Sequence, residues 1–253
     1  MRVSPLFSNI ETGENSASYD EVEHASYKGI TIKSLILLAI VLAVGILTAI
    51  LLPKMLTGEG SAAGYYVGVV FAIIIGSISV IVGRISSRAA KVSSVIYSIC
   101  EGFLLGTISR ILEEYIPGIA TAAIFGTTII FAVMLILFGT GIIKAGNGVL
   151  VFLISLALSA FALSLFTIIY CLVANIDTTT YLGLLILIEA IYLVYGCVML
   201  TLNFMEASNV VKSGASKNAE WSVALGIEVS LIYIYIELLR ILLYVAALFG
   251  KNN

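Results

Sequence analysis

Apolar positions along this chain come in long unbroken runs separated by short polar breaks. Seven runs approach or exceed the ~20 residues a helix needs to cross a bilayer: roughly 32–52, 65–83, 93–112, 119–143, 149–174, 181–204 and 222–249. They predict seven spanning helices. Pro53 with Lys54 is expected to end the first, and Pro117 with Gly118 to part the third from the fourth. Gly146, Asn147 and Gly148 part the fourth from the fifth, and Asp177 with its threonines turns the chain into the sixth. Connections this short make adjacent helices antiparallel neighbours, so residues 30–253 read as one transmembrane domain. Residues 1–29 have no hydrophobic period and carry Glu11, Glu14, Asp20, Glu21 and Glu23. They read as a solvated cytoplasmic tail that cannot bury enough apolar surface to fold alone.

Composition agrees with this pattern. The 253 residues are 60% hydrophobic and 11% charged, where soluble domains carry roughly a quarter charged residues. A net charge of -2 gives no argument for a nucleic-acid partner. Cys100, Cys171 and Cys197 fall inside apolar runs without CxxC spacing, which reads as small buried side chains. His24 is the only histidine and lies in the tail, which excludes histidine metal sites and Ser/His dyads from the membrane part. No short apolar core follows a basic start, so no cleavable signal is expected.

Lysine and arginine in the loops set orientation. With the tail inside, Arg2, Lys28, Lys33, Arg84, Arg88, Lys91, Lys144, Lys212 and Lys217 collect on the cytoplasmic side, against Lys54, Arg110 and Lys251 opposite.

The candidate chemistry sits where hydrophobic packing has no use for it. The last run carries Glu228, Glu237 and Arg240; Glu206 closes the sixth; Glu101 and Glu189 lie within earlier spans. A carboxylate at membrane depth costs about 3 kcal/mol on insertion scales, so it faces protein or water. Any one of these acids could simply pair with a base to fix a helix contact, but five in one small bundle favour an ion path. Acids from the last two spans and a base from the second inter-span loop, where Arg84, Arg88 and Lys91 cluster, are expected to gate it. Glu237 and Arg240 are three apart and share a helix face, where they could neutralise each other. Glu228 stands about 180° round the same helix from Glu237. Gly102 and Gly106 let another helix approach closely, beside Glu101.

There is no HExxH, GxSxG or P-loop motif, and the only aspartates, Asp20 and Asp177, lie in tail and loop. An enzyme is not expected. Without a visible internal repeat, an inverted-repeat transporter loses its main sequence support.

The segments YIYIELLR (Tyr233 to Arg240), NFMEAS (Asn203 to Ser208), Glu220 with Trp221, and YSICEGFLLGTIS (Tyr97 to Ser109) resemble the bacterial branch of the Bax inhibitor family. The resemblance covers the chain from about residue 30 to its end. It implies an all-α bundle of seven transmembrane helices with the last helix central, in the bacterial plasma membrane, acting as a pH-sensitive calcium leak without a cofactor. It also implies that an acid pair from the sixth and seventh helices shares a proton and docks an arginine to shut the path. Carried onto this sequence, the acids fall on Glu206 and Glu237 and the arginine on Arg88, with Glu228 a rival for Glu237. Glu206 and Glu237 are then the tentative calcium contacts, and Glu101, Glu189 and Glu228 further path acids.

General chemistry fits that role. Two carboxylates held close cannot both ionise cheaply, so such a pair responds to pH. Calcium takes carboxylate and carbonyl oxygens. Two other functions compete: a regulator that binds a membrane protease or stress-response partner, and a proton-coupled carrier of a small solute.

Overall fold

The computed structural model describes residues 24–57, 61–139 and 182–250. Six helices fill them: α1 (Tyr27–Thr57), α2 (Ser61–Ile85), α3 (Ala90–Tyr115), α4 (Ile119–Gly139), α5 (Leu182–Lys212) and α6 (Ala219–Gly250). All six are long and apolar enough to cross a membrane. No strand occurs among the described residues, only one isolated bridge between His24 and Ser216. The expected fifth span, 149–174, lies outside them, as do the Gly146 to Gly148 break, Asp177, Cys171 and residues 1–23 of the tail.

Two element ends differ from expectation. Pro53 does not stop the first helix, which runs on to Thr57. Proline removes one backbone N–H, and the chain completes a last turn beyond it. The sixth apolar run ends near residue 204, yet α5 continues to Lys212. Glu206 therefore sits inside a helix and not at its end, because backbone hydrogen bonding does not stop where the apolar pattern does.

The α3–α4 junction follows its sequence closely. Ile116 is extended, as a residue before proline prefers, and Gly118 takes φ 88°. Glu113 then caps α4: its Oε1 accepts from the Gly118 N–H at 2.6 Å and its Oε2 from the Ala120 N–H at 3.1 Å. An acid at a helix N-terminus satisfies free N–H groups and complements the helix dipole. Glu113→Ala should cost about 1 kcal/mol in reversible unfolding.

The burial pattern is that of a protein solvated by lipid. Ile46, Ile50, Phe71, Ile78, Phe125 and Ile129 are exposed, whereas Ser98, Glu189, Asn203, Glu228 and Glu237 are buried. Apolar side chains cover the outside because lipid tails are as apolar as they are. The polar groups must then find partners inside the bundle.

α1 and α3 meet through small residues. A side-chain carbon at Gly106 would collide with the Gly45 backbone, and one at Gly102 with Val41 and Val44 of α1. The close approach anticipated at Gly102 and Gly106 is thus made by α1. Gly106→Ala should lower stability by about 2 kcal/mol through overpacking. Gly68 has open space around it, so Gly68→Ala serves as the control in the same thermal melt and should not destabilise.

The chain ahead of α1 is tied to the turn between α5 and α6. Gly214 ends α5 with φ 64°; the Ala25 N–H donates to the Ala215 carbonyl and His24 Nδ1 lies 2.8 Å from the Gly214 carbonyl. Lys33 of α1 pairs with Glu220 at 2.5 Å and stands 5.1 Å from the centre of the Trp221 ring. Ser26 donates to Glu220 from both its N–H and its hydroxyl. α6, held in this way, packs against each of the other five described helices.

Candidate functional site: three polar clusters along the last helix

α6 places polar groups at three levels. At the end beside the α5–α6 turn, Arg84 from the last turn of α2 reaches across to α5. Its Nη2 donates to Glu206 Oε2 at 2.7 Å, and its Nη1 donates to Glu206 Oε1 at 3.3 Å and to the Ser222 carbonyl of α6 at 3.1 Å. Gly226 makes this possible, since a side chain there would run into the guanidinium and Asn203. The Asn203 amide in turn donates to Ser230 Oγ of α6 at 2.7 Å and to the Met199 carbonyl. Three helices are joined here by one arginine. The Arg84 and Glu206 side chains are 35% and 37% exposed.

One level deeper, Glu228 faces α3 and is completely buried. The Ser98 hydroxyl lies 2.5 Å from Glu228 Oε1 and 2.9 Å from the Ser94 carbonyl, with one proton to offer two acceptors. Glu228 Oε2 has no hydrogen-bond partner. Glu101 is close by and hydrogen-bonds the Tyr97 hydroxyl. Among the described residues no basic side chain pairs with either acid.

At the third level Glu237 faces α5. Arg240 Nη1 lies 3.4 Å from Glu237 Oε1 and 3.5 Å from Glu189 Oε2. The i,i+3 contact between Glu237 and Arg240 is as the spacing suggested, and Glu228 and Glu237 do face different neighbours.

The expected gate is not assembled. Glu206 and Glu189 stand far apart on α5, a rise of about 25 Å at the helical 1.5 Å per residue. Glu237 sits with Glu189, so Glu206 and Glu237 are several helical turns apart along the bundle and cannot share a proton or a metal ion. Antiparallel packing dictates this: Glu206 lies just before the α5–α6 turn, whereas Glu237 lies five turns beyond the start of α6. Arg88 is exposed in the α2–α3 turn and has no ion pair among the described residues. Arg84, one helical turn earlier, is the arginine that reaches Glu206. Its place in α2 aims it over Gly226.

Several participants have no role assigned from the sequence: Ser98, Asn203, Glu220, Ser222 and Ser230. Ser98, Asn203 and Glu220 lie inside the quoted family segments, and that was the available signal. Ser222 contributes a backbone carbonyl, which side-chain identity does not reveal. Among the described residues no group of three or more His, Cys, Asp or Glu side chains is placed to hold a metal ion.

Neither the curated proteins nor the solved structures contain a match to this chain. The model of the family described as Bax inhibitor 1 like, in contrast, matches residues 4–247. With its apolar helices turned outward and its acids turned inward, the chain is an integral multi-pass membrane protein that belongs to the Bax inhibitor 1 like family.

Proposed function

We propose that this protein is a calcium leak of the bacterial plasma membrane, with Glu228 as the acid that draws the ion into the bundle and the Arg84–Glu206 pair as the lock at its cytoplasmic end. The observation that carries the reading is Glu228 itself: completely buried, with one oxygen unpartnered and a second acid, Glu101, beside it. A carboxylate at that depth without a base is costly, and such groups mark ion and proton pathways. Calcium is a hard cation that binds carboxylate and hydroxyl oxygens, which Glu228, Glu101, Ser98 and Tyr97 supply. On this reading the undescribed fifth span completes a seven-helix bundle around a central last helix. The passengers are calcium and protons, with no cofactor and no enzymatic step.

The lock works by charge and by position. Arg84 bridges α2, α5 and α6 where the path would reach water, and its guanidinium repels an incoming cation. Replacing Glu206 with an uncharged side chain would remove the charge-assisted bonds that hold Arg84.

Calcium entry into liposomes holding the purified protein tests the reading. Arg84→Gln should raise the leak by about threefold to fivefold, the worth of one partly exposed ion pair. Gly226→Ala, which crowds the guanidinium without altering its charge, should act in the same direction. No calcium entry at any pH in the parent protein would remove the proposal, and substrate-specific saturable uptake would replace it with a carrier.

A further inference from the structure

Along the seam between α3 and α6 the polar groups around Glu228 give way to an apolar layer. Ser98 meets Glu228, and further on the Ser109 Oγ lies 2.8 Å from the Tyr235 hydroxyl. Because the residue numbers of the two contacts rise together, α3 and α6 run in parallel. From Glu228 to Tyr235 the helix advances about 10 Å at 1.5 Å per residue. Within that rise stand Leu105 of α3 and Ile232 of α6, both buried, and Leu239 follows one turn beyond Tyr235. These side chains and Tyr235 belong to one apolar cluster, which Ile119 and Ala123 of α4 join.

Charge returns only on the other side of this layer. From Val229 to Ile236 α6 carries no charged residue. On α3 Arg110 pairs with Glu114 at 3.0 Å, and both side chains reach the exterior. Glu113, one turn beyond Ser109, is the next acid, and it stands near the Tyr235 hydroxyl. Its carboxylate is already fixed by the first N–H groups of α4. Acids therefore flank the layer on both sides, with Glu101 and Glu228 before it and Glu113 after it.

We propose that Leu105, Ile232 and Tyr235 form a dry plug that closes the Glu228 path toward the α3–α4 junction, latched by the Ser109–Tyr235 hydrogen bond, with Glu113 as the acid that meets the ion beyond. This rests on the leak reading above and gives its path a second closure, far from Arg84. A hydrated cation entering the layer would lose water and find no oxygen in exchange, so the layer conducts only when it is wetted. Tyr235 is the movable part. While Ser109 holds its hydroxyl, the ring fills the gap with apolar surface; released, it turns aside and offers the hydroxyl oxygen to water or to the ion. The lock and the plug open independently, so their effects on the leak multiply.

Calcium entry into liposomes holding the full chain tests the plug. Leu105→Asn places an amide in the dry layer and should raise entry at least about tenfold by wetting it. Ser109→Ala removes the latch and should raise entry about threefold to fivefold, as expected for one lost hydrogen bond. Both increases should vanish in a Glu228→Gln background, because the ion must pass Glu228 to reach the plug. Thermal melts accompany each variant, and should Leu105→Asn fail to fold, Ser109→Ala decides. Unchanged entry in these variants, beside a fall in Glu228→Gln, overturns the plug and leaves the Glu228 leak standing. An increase that survives Glu228→Gln also overturns it, since the opened route then bypasses that acid. A parent and variants that all admit no calcium remove the leak and the plug together.

Discussion

Calcium entry into liposomes should fall at least about tenfold when Glu228 is replaced by glutamine. A divalent cation passing within about 4 Å of a carboxylate gains roughly 8 kcal/mol at an effective dielectric of 20, well over one decade in rate. The amide is nearly isosteric and can still accept from Ser98, so the helix contact survives while the charge is lost. A thermal melt matching that of the parent would show that loss of flux is not loss of fold. Glu237→Gln should leave the leak close to the parent, since Glu237 faces α5 with Glu189 and Arg240 and not Glu228. If Glu228→Gln leaks like the parent, the path does not run past Glu228.

Lys33→Met should destabilise the protein by about 3 kcal/mol, the cost of leaving a buried carboxylate without its base. Glu220 is 1% exposed, and its charge is answered by Lys33 and by Ser26. Gly29 is held close against the same carboxylate, where any side chain would collide with it. The double replacement Lys33→Met with Glu220→Leu should recover much of the loss, because a buried pair exchanged for apolar groups is often near neutral. Reversible unfolding in mixed micelles measures both. Equal losses in the single and double variants would show that the clasp is held by backbone pairing at Ala25 and not by charge.

Much of the helical layout could be read before any coordinates. Each described helix contains or overlaps one of the apolar runs, since hydrogen-bonding the backbone within one segment is the only way a lone chain segment can cross lipid. The exceptions are instructive. Pro53 removes one donor but does not prevent a further turn, so a proline near a helix end marked the boundary too early. The polar residues after 204 looked like a loop, yet α5 carries them to Lys212, because a helix emerging toward water can continue with polar side chains.

The acids were also visible in the sequence. At 1.5 Å per residue along α6, Glu237 lies well past the α5–α6 turn, while Glu206 lies just before it; antiparallel packing then forbids their meeting. The resemblance pairs Glu206 with Glu237 and Arg88, whereas in the structure Glu206 pairs with Arg84 and Glu237 sits with Glu189 and Arg240. A pairing of two acids with one arginine does exist in this protein, made by Glu189, Glu237 and Arg240.

What the amino-acid order determined alone is what depends on neighbours along one helix: which stretches are apolar enough to span, that Glu228 and Glu237 point to different sides, that Glu237 and Arg240 can touch, and that Gly102 and Gly106 offer a flat face. Only the tertiary structure decided which helix occupies each face: α1 against the glycines, α3 against Glu228, α5 against Glu237, and Arg84 across Gly226 to Glu206. The physical reason is range. Helical periodicity fixes a side chain's direction within its own helix, whereas its partner depends on the depth and rotation of another helix, which the packing of the whole bundle sets.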